Sequence, residues 1–385
     1  MCEVTQLFCF FCSFISALQC RLECDSGYIS QRTPLITCVN GEYEPFKPST
    51  FVCEPAGALI FTQGGEVEAV SKKCSLHITT FNMFSGSGRT VSLLDEEVLL
   101  IGNDYLGTKG TYISIQKPRE GLLAMKYTIN KLPLTQPTHE HLSLVSGNAL
   151  SIVGGKFKSR GKLSKFTWTE LSLKWRNGSK YIPSFSDACS VKLGADVHFI
   201  FGGEQKVNGH YVSVSQVVKI NTTNEIADEL TALTHRRVSH DCQLLKNSVV
   251  LVSGGLPQKG ANLSDIVPDE IYDITTQKVI KVLKLKQSLG RAHHAVIKMG
   301  NKVMAIGGLD SKGNSPPEIA EFVQSTNSWA ALSQKLHSVN TSQLIATPYP
   351  ASSLDCVPKC QCGIANTKGR IFGGSEAEVR HFLAR

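Results

Sequence analysis

The chain has 385 residues, 42% of them hydrophobic and 19% charged, with 32 glycines; this excludes a disordered polypeptide and predicts two or three turn-rich globular domains. Its 40 Lys and Arg against 32 Asp and Glu leave a net charge of +8, which aids solubility and favours polyanions only weakly. No basic run is interleaved with stacking aromatics, so the charge does not argue for a nucleic-acid partner.

The chain opens on MCEVTQLFCFFCSFISALQ. Its apolar run from Leu7 to Leu18 is short for a membrane span and the right length for the core of a signal peptide. Glu3 stands where a positive charge is usual, so a buried start is the other reading. With residues 1–19 read as a leader, ten of the 13 cysteines remain, an even number that suits disulfides in an extracellular compartment. Sequons at Asn177, Asn221, Asn262 and Asn340 agree with secretion. No later apolar segment approaches membrane length, so no span is expected.

Residues 20–55 are polar, turn-rich and too few to hold a core without staples. The stretches CDSGYI, TCVNGEYEP and VCEP resemble the second half of a sushi (complement control) module. The resemblance implies a Cys24–Cys53 bridge. It gives Cys38 no comfortable partner, since Cys20 lies too near Cys24, and Tyr43 stands where the module usually has Trp. A truncated or diverged sushi unit and an unrelated disulfide loop both fit these residues.

From residue 57 a period of about fifty residues takes over. Short apolar runs end in glycines at Gly64–Gly65, Gly102–Asn103, Gly154–Gly155, Gly202–Gly203, Gly254–Gly255 and Gly307–Gly308, and the first glycines are 38, 52, 48, 52 and 53 residues apart. Most runs follow another short strand and a tight turn, marked by Gly194 and Gly300. A variable loop comes next, then an aromatic with a second large residue seven positions on: Trp168 and Trp175, Tyr272 and Val279, Phe322 and Trp329. Each unit thus predicts four antiparallel strands that cannot bury both faces alone. The pattern resembles the kelch repeat over residues 57–350, although Asn103 replaces a glycine and the fourth unit lacks both aromatics. The expected fold is mainly β, a six-bladed kelch-like β-propeller with the small stapled module ahead of it. The first unit, starting at Ala58, lacks a first strand, whereas TSQLIATP (341–348) has no unit of its own; pairing the two would close the ring, with Leu344 or Ile345 against Ala58–Phe61.

A Cys-rich linker (351–370) leads into CGIANTKGRIFGGSEAE, which resembles the activation segment of trypsin-like serine proteases. The resemblance implies cleavage after Arg370, a new amino terminus at Ile371, a flexible Gly373–Gly374 pair and a propeptide disulfide through Cys362. Residues 371–385 would then be the start of a catalytic domain whose His, Asp and Ser are absent, so this polypeptide is expected to be inert as an enzyme, although a complete relative would be a zymogen. No nucleophile elbow or zinc-binding helix motif substitutes, and no cofactor or metal is expected.

Function is therefore sought in the loops. Those after each glycine pair should share a face with the links between units. They are basic: Lys156, Lys158, Arg160, Lys162 and Lys165, then Arg236 and Arg237, then Arg291. These residues form either a site for a sulfated glycan or acidic partner surface, or ordinary solvated loops. His141, His240 and His294 recur before the first strands of three units, either as structural residues or as a rim that could hold a metal. Cys189 and Cys242 occupy matching inner strands and are expected as buried thiols rather than a bridge. The leading expectation is a secreted binding protein for a protein or anionic glycan. A fragment of an active protease precursor and a cytosolic kelch adaptor are the alternatives.

Overall fold

The computed structural model describes residues 185–337 and 342–350 continuously, and before them residues 18–21, 24, 26–30, 35–39, 42–44, 53–62, 65–71, 75–80, 90–94, 97–103, 110–115, 127–131, 140–146, 149–155, 162–169, 172–181 and 183. Residues 1–17 of the leader, the Cys362 linker and the Arg370–Ile371 segment lie outside these residues. Among the described residues every regular element except one short 3-10 turn, Leu263–Asp265, is a β-strand. None forms a helix long and apolar enough to cross a membrane.

Among the described residues six larger antiparallel sheets carry the chain, each with four strands in sequence order apart from the first, beside three smaller sheets of two or three strands. The second joins Thr90–Leu94, Glu97–Asn103, Gly110–Ile115 and Tyr127–Lys131; the third, Leu142–Ser146, Ala149–Val153, Lys162–Thr169 and Ser172–Tyr181. The fourth joins Cys189–Lys192, Val197–Phe201, Val217–Asn221 and Ile226–Leu230; the fifth, Asp241–Lys246, Val249–Ser253, Glu270–Asp273 and Lys278–Val282; the sixth, Ala295–Met299, Lys302–Ile306, Glu318–Val323 and Ser328–Lys335. The first sheet takes its leading strand from the other end of the chain. Leu344–Pro350 pairs with Cys53–Thr62, Ile345 opposite Phe61 and Ala346 opposite Ile60, and Glu66–Val70 and Ser75–Thr80 follow. Cys53–Thr62 also runs unbroken through the module boundary drawn at 55–57, and Tyr28–Ser30 pairs with its start.

Turn chemistry sets the register. Gly194, Gly300 and Asn247 adopt positive φ (88°, 58° and 42°) between the first and second strands of the fourth, sixth and fifth sheets, the backbone a tight hairpin requires. The seven-residue spacing also acquires a meaning: Tyr272 lies opposite Val279 and Phe322 opposite Trp329 across the outer hairpins. In the third sheet the pairing is offset, Trp175 facing Phe166 and Trp168 facing Leu173.

Cores form where sheets stack face to face. Leu142, Leu144 and Val153 pack against Phe185, Ile200 and Ile220 between the third and fourth sheets. Phe199, Phe201 and Val217 meet Leu244, Val252 and Tyr272 between the fourth and fifth, and Leu251 and Ile271 meet Val303 and Phe322 between the fifth and sixth. Ile297 and Ile306 then meet Ile60 and Leu344 of the first sheet. The leading strands touch in the order Leu344–Pro350, Thr90–Leu94, Leu142–Ser146, Cys189–Lys192, Asp241–Lys246, Ala295–Met299 and back to Leu344–Pro350.

Candidate functional site

The links entering the third to sixth sheets repeat one arrangement. The second residue before the leading strand is Glu140, Asp187, Ser239 or His293, all with φ between 51° and 60°. This left-handed backbone costs a non-glycine residue roughly 1–2 kcal/mol and turns the chain sharply into the strand. The links are stitched together by the N–H of Asp187 on the carbonyl of Glu140 (3.1 Å), that of His293 on Ser239 (2.9 Å) and that of Leu344 on His293 (3.4 Å). Side chains reinforce the stitching: Ser239 Oγ donates to Asp187 Oδ2 at 2.8 Å.

These links and the loops after the glycine pairs surround a cavity of about 700 Å³. Glu140, Asp187, Ser239, His293 and Lys259 line it, with Ser143, Ser190 and Gln343 as further polar groups and Leu256 and Leu344 as apolar wall. Lys259 Nζ donates to Glu140 Oε1, reaching from the loop after Gly255 to the link of the third sheet. Burial, aided by the Glu140 charge, pushes Asp187 up to about 7, while burial and Lys259 pull His293 down. Unpaired positive charge is thus disfavoured at His293, and the anionic groups sit at Glu140 and Asp187.

The basic residues picked from the sequence do not gather here. Arg237 is fully buried: Nη1 donates to the carbonyl of Gly254 (2.9 Å), and Nη2 to that of Pro268 (3.0 Å) and to Glu270. Arg291 is 8% exposed and bonds the carbonyls of Gly307 (3.1 Å) and Glu318 (3.3 Å). Both occupy the place held by Phe185 in the link into the fourth sheet, and in all three the residue's own carbonyl accepts the N–H of the second glycine: Gly155 to Phe185, Gly203 to Arg237, Gly255 to Arg291. They are framework groups, because the repeat fixes their side chains against the next sheet. Arg236 is exposed; Lys156, Lys158 and Arg160 lie outside the described residues, as do the side chains of Lys162 and Lys165. The first glycine of a pair is obligatory where sheets meet: a Cβ on Gly154 would stand 1.8 Å from the carbonyl oxygen of Phe185, and one on Gly254 2.0 Å from that of Arg291. Gly64 is outside the described residues; Gly102 lies within the strand Glu97–Asn103, and Gly65, Gly202, Gly203, Gly307 and Gly308 follow their strands.

His141, His240 and His294 are buried and also line the cavity. His240 Nε2 donates to the carbonyl of Phe201 (3.0 Å), and His294 Nε2 meets Ser253 Oγ at 3.3 Å. Burial, then the nearby arginines Arg237 and Arg291, pull both rings down to about 3, so they act as neutral ties to the preceding sheet.

The expectation of free thiols is overturned. Cys189 and Cys242 form a disulfide, because the leading strands of the fourth and fifth sheets bring their Cα atoms to 5.8 Å, within disulfide reach. Asp241 lies within 4.8 Å of both sulfurs, but sulfurs bonded to each other leave no thiolate to hold a metal. Cys24 and Cys53 form a second disulfide, Cα atoms 5.7 Å apart. Of the sequons, Asn262 is exposed and Asn221 half-buried; Asn177 lies in the strand Ser172–Tyr181 and Asn340 is outside the described residues.

Comparison with known proteins places the chain only at the level of fold. No family model matches it, and no curated protein does so by sequence. A solved structure described as that of YjhT superposes with a TM-score of 0.52 at 13% identity, over 69% of this chain and 91% of that one.

Residue-type reasoning missed Glu140, Asp187, Ser239 and His293, since they share a position and no chemistry. Aligning the units on their leading strands would have found them. Nothing in the sequence marks Lys259.

Proposed function

We propose that the six sheets are the blades of a closed, kelch-like propeller, with Leu344–Pro350 completing the first blade, and that the chain is a secreted recognition module whose ligand enters the cavity between the links. The cyclic contact order of the leading strands supports closure. The two disulfides and the exposed sequon at Asn262 are compatible with an extracellular setting. The sushi-like start and the Arg370–Ile371 activation segment belong to the same reading and rest on sequence resemblance.

The observation that carries a binding role is the cavity itself: about 700 Å³, within the range of small-ligand sites, with several polar groups converging on a partly apolar wall. A protein or glycan partner would be read by the surrounding loops, as loops on a rigid scaffold commonly do. The test is a screen of the full chain against glycans and extracellular proteins, repeated with Ser190→Tyr, which places a ring in the cavity. Hits lost in the variant support the reading. Hits that persist unchanged overturn it and direct attention to the outer surface.

A further inference from the structure

The cavity is acidic at one place. Glu140 and Asp187 stand on consecutive links, joined by the backbone bond between them, and the Glu140 charge opposes ionisation of Asp187. Lys259 is a cation that answers the pair. Lys259 arrives from a different sheet, 119 residues along the chain, and its ammonium rests on Glu140.

The two partners are held very differently. Glu140 is 11% exposed, fixed by its link and its backbone bond, whereas Lys259 is 52% exposed. Lys259 precedes Gly260, whose α-carbon has no other atom within 4 Å of the place a Cβ would occupy. The carboxylate is therefore part of the wall, while the lysine can leave for water without unpacking that wall. Half-exposed ion pairs contribute little to stability, so its departure is inexpensive.

We propose that Lys259 is the internal occupant of a ligand subsite, and that the cavity takes a small molecule carrying a primary ammonium group, which replaces Lys259 on Glu140 with Asp187 and Ser239 alongside. This rests on reading the cavity as the binding mouth. The exchange is electroneutral, one ammonium for another, so no additional charge is buried. The compact, three-donor ammonium suits the place better than a planar guanidinium, since its acceptors come from separate links rather than one flat carboxylate. Ser143, Ser190 and Gln343 offer hydrogen bonds to a hydroxyl-bearing body.

The test uses the full chain and two probes of one skeleton, glucamine and sorbitol, which differ in an ammonium for a hydroxyl. Binding is followed by ligand-observed NMR at pH 8 and fixed ionic strength. Glucamine should bind and sorbitol should not. Lys259→Ala should bind glucamine about tenfold more tightly, the gain expected when an occupant filling the site nine-tenths of the time is removed. Adding Glu140→Gln to Lys259→Ala, or Asp187→Asn in its place, should abolish that gain. Equal binding of both probes would keep the mouth and sink the ammonium subsite. No glucamine binding by a folded Lys259→Ala protein would also overturn the proposal, leaving the mouth to be judged by the Ser190→Tyr screen.

Discussion

Arg237 and Glu270 form an ion pair from which water is wholly excluded, neither side chain retaining any exposed surface. Most of the strong groups around it are matched, Arg237 Nε being the exception among the described residues. The guanidinium also serves the carbonyls of Gly254 and Pro268, and Glu270 accepts the N–H groups of Thr234 (2.7 Å) and His235 (3.0 Å). Burial pushes Glu270 up, but Arg237 and these N–H groups outweigh it and hold the carboxyl below its usual range. The pair thus ties the link into the fifth sheet to that sheet's second and third strands.

Arg237→Ala should therefore destabilise the protein by about 3–5 kcal/mol, the usual cost of stranding one partner of a buried pair. Arg237→Met with Glu270→Gln should cost less than the two single changes added together, because no uncompensated charge remains. Urea denaturation of the four proteins reads the difference directly. Strict additivity would show that the two groups act independently.

The same arginine shows how far the sequence could be read. Strand number and spacing were legible because glycine pairs and tight turns are local requirements, and the Leu344–Pro350 pairing was legible because one unit lacked a strand and another strand lacked a unit. Arg237 and Arg291 were misread as surface because charge normally marks solvent, and only the three-dimensional repeat reveals that they stand where Phe185 stands one and two links earlier. The cavity residues were invisible for the complementary reason: Glu140, Asp187, Ser239 and His293 share a backbone conformation rather than a chemistry. The Cys189–Cys242 bridge depended on how closely two leading strands approach, a distance that no spacing in the chain encodes.

That bridge should be measurable. It closes a loop of 53 residues between adjacent sheets, and constraining the unfolded chain to this extent is worth about 2–4 kcal/mol. Cys189→Ala with Cys242→Ala should lower stability by that amount, and only reductant should render the two residues of the natural chain alkylatable. A double variant as stable as the natural protein under oxidising conditions would show that the bridge restrains nothing.

The glycine pairs carry a sharper prediction. Gly254 has φ of +56° and faces the Arg291 carbonyl at a distance no Cβ tolerates. Gly254→Ala should cost about 2–5 kcal/mol from left-handed strain and overpacking together. Gly260→Ala meets nothing and should cost only the strain of its own φ, +79°. Equal losses in thermal or urea unfolding would contradict the assignment of the Gly254 cost to contact between sheets.

Sequon use separates two asparagines. The Asn221 Oδ1 accepts the N–H groups of Thr223 (3.0 Å) and Asn224 (3.1 Å), and Thr223 Oγ1 donates to Asp196 (2.8 Å), so that sequon is folded into a turn. Asn262 is exposed and its side chain makes no cap bond. On secretion from a glycosylating cell, Asn262 should carry the glycan more fully than Asn221. Asn262→Gln should remove one endoglycosidase-sensitive step on a gel; no shift in any variant would argue against passage through that compartment.

Acidity should act on the cavity through Asp187. Its carboxyl ionises near 3.8 in the unfolded chain and at about 7 in the fold, raised by burial first and Glu140 second. A carboxyl that keeps its proton longer when folded contributes stability that is complete below about pH 4 and is lost as pH rises to about 7. The buried His198, His240 and His294 run the other way: lowered from 6.5 to about 3 by burial, they contribute above about pH 6.5 and lose it as pH falls. Asp241, also raised to about 7, falls in the first group. The natural protein therefore shows a blunted response between pH 4 and 6.5, where the two groups oppose. Asp187→Asn removes one carboxyl and leaves the histidines, so its stability relative to the natural chain should climb from pH 4 to 7 and then level off. The slope is bounded by about 1.4 kcal/mol per pH unit, one proton's worth, and should fall short of it because Asp187 borders the cavity. The charged groups facing it are Glu140, Glu204 and Lys259, with Ser239 as hydrogen-bond donor. Glu140→Gln should accordingly shift the climb to lower pH, and Lys259→Ala to higher. Urea titrations at half-unit steps from pH 4.5 to 8 resolve these shifts, and a difference between Asp187→Asn and the natural protein that stays constant throughout would place the Asp187 proton elsewhere.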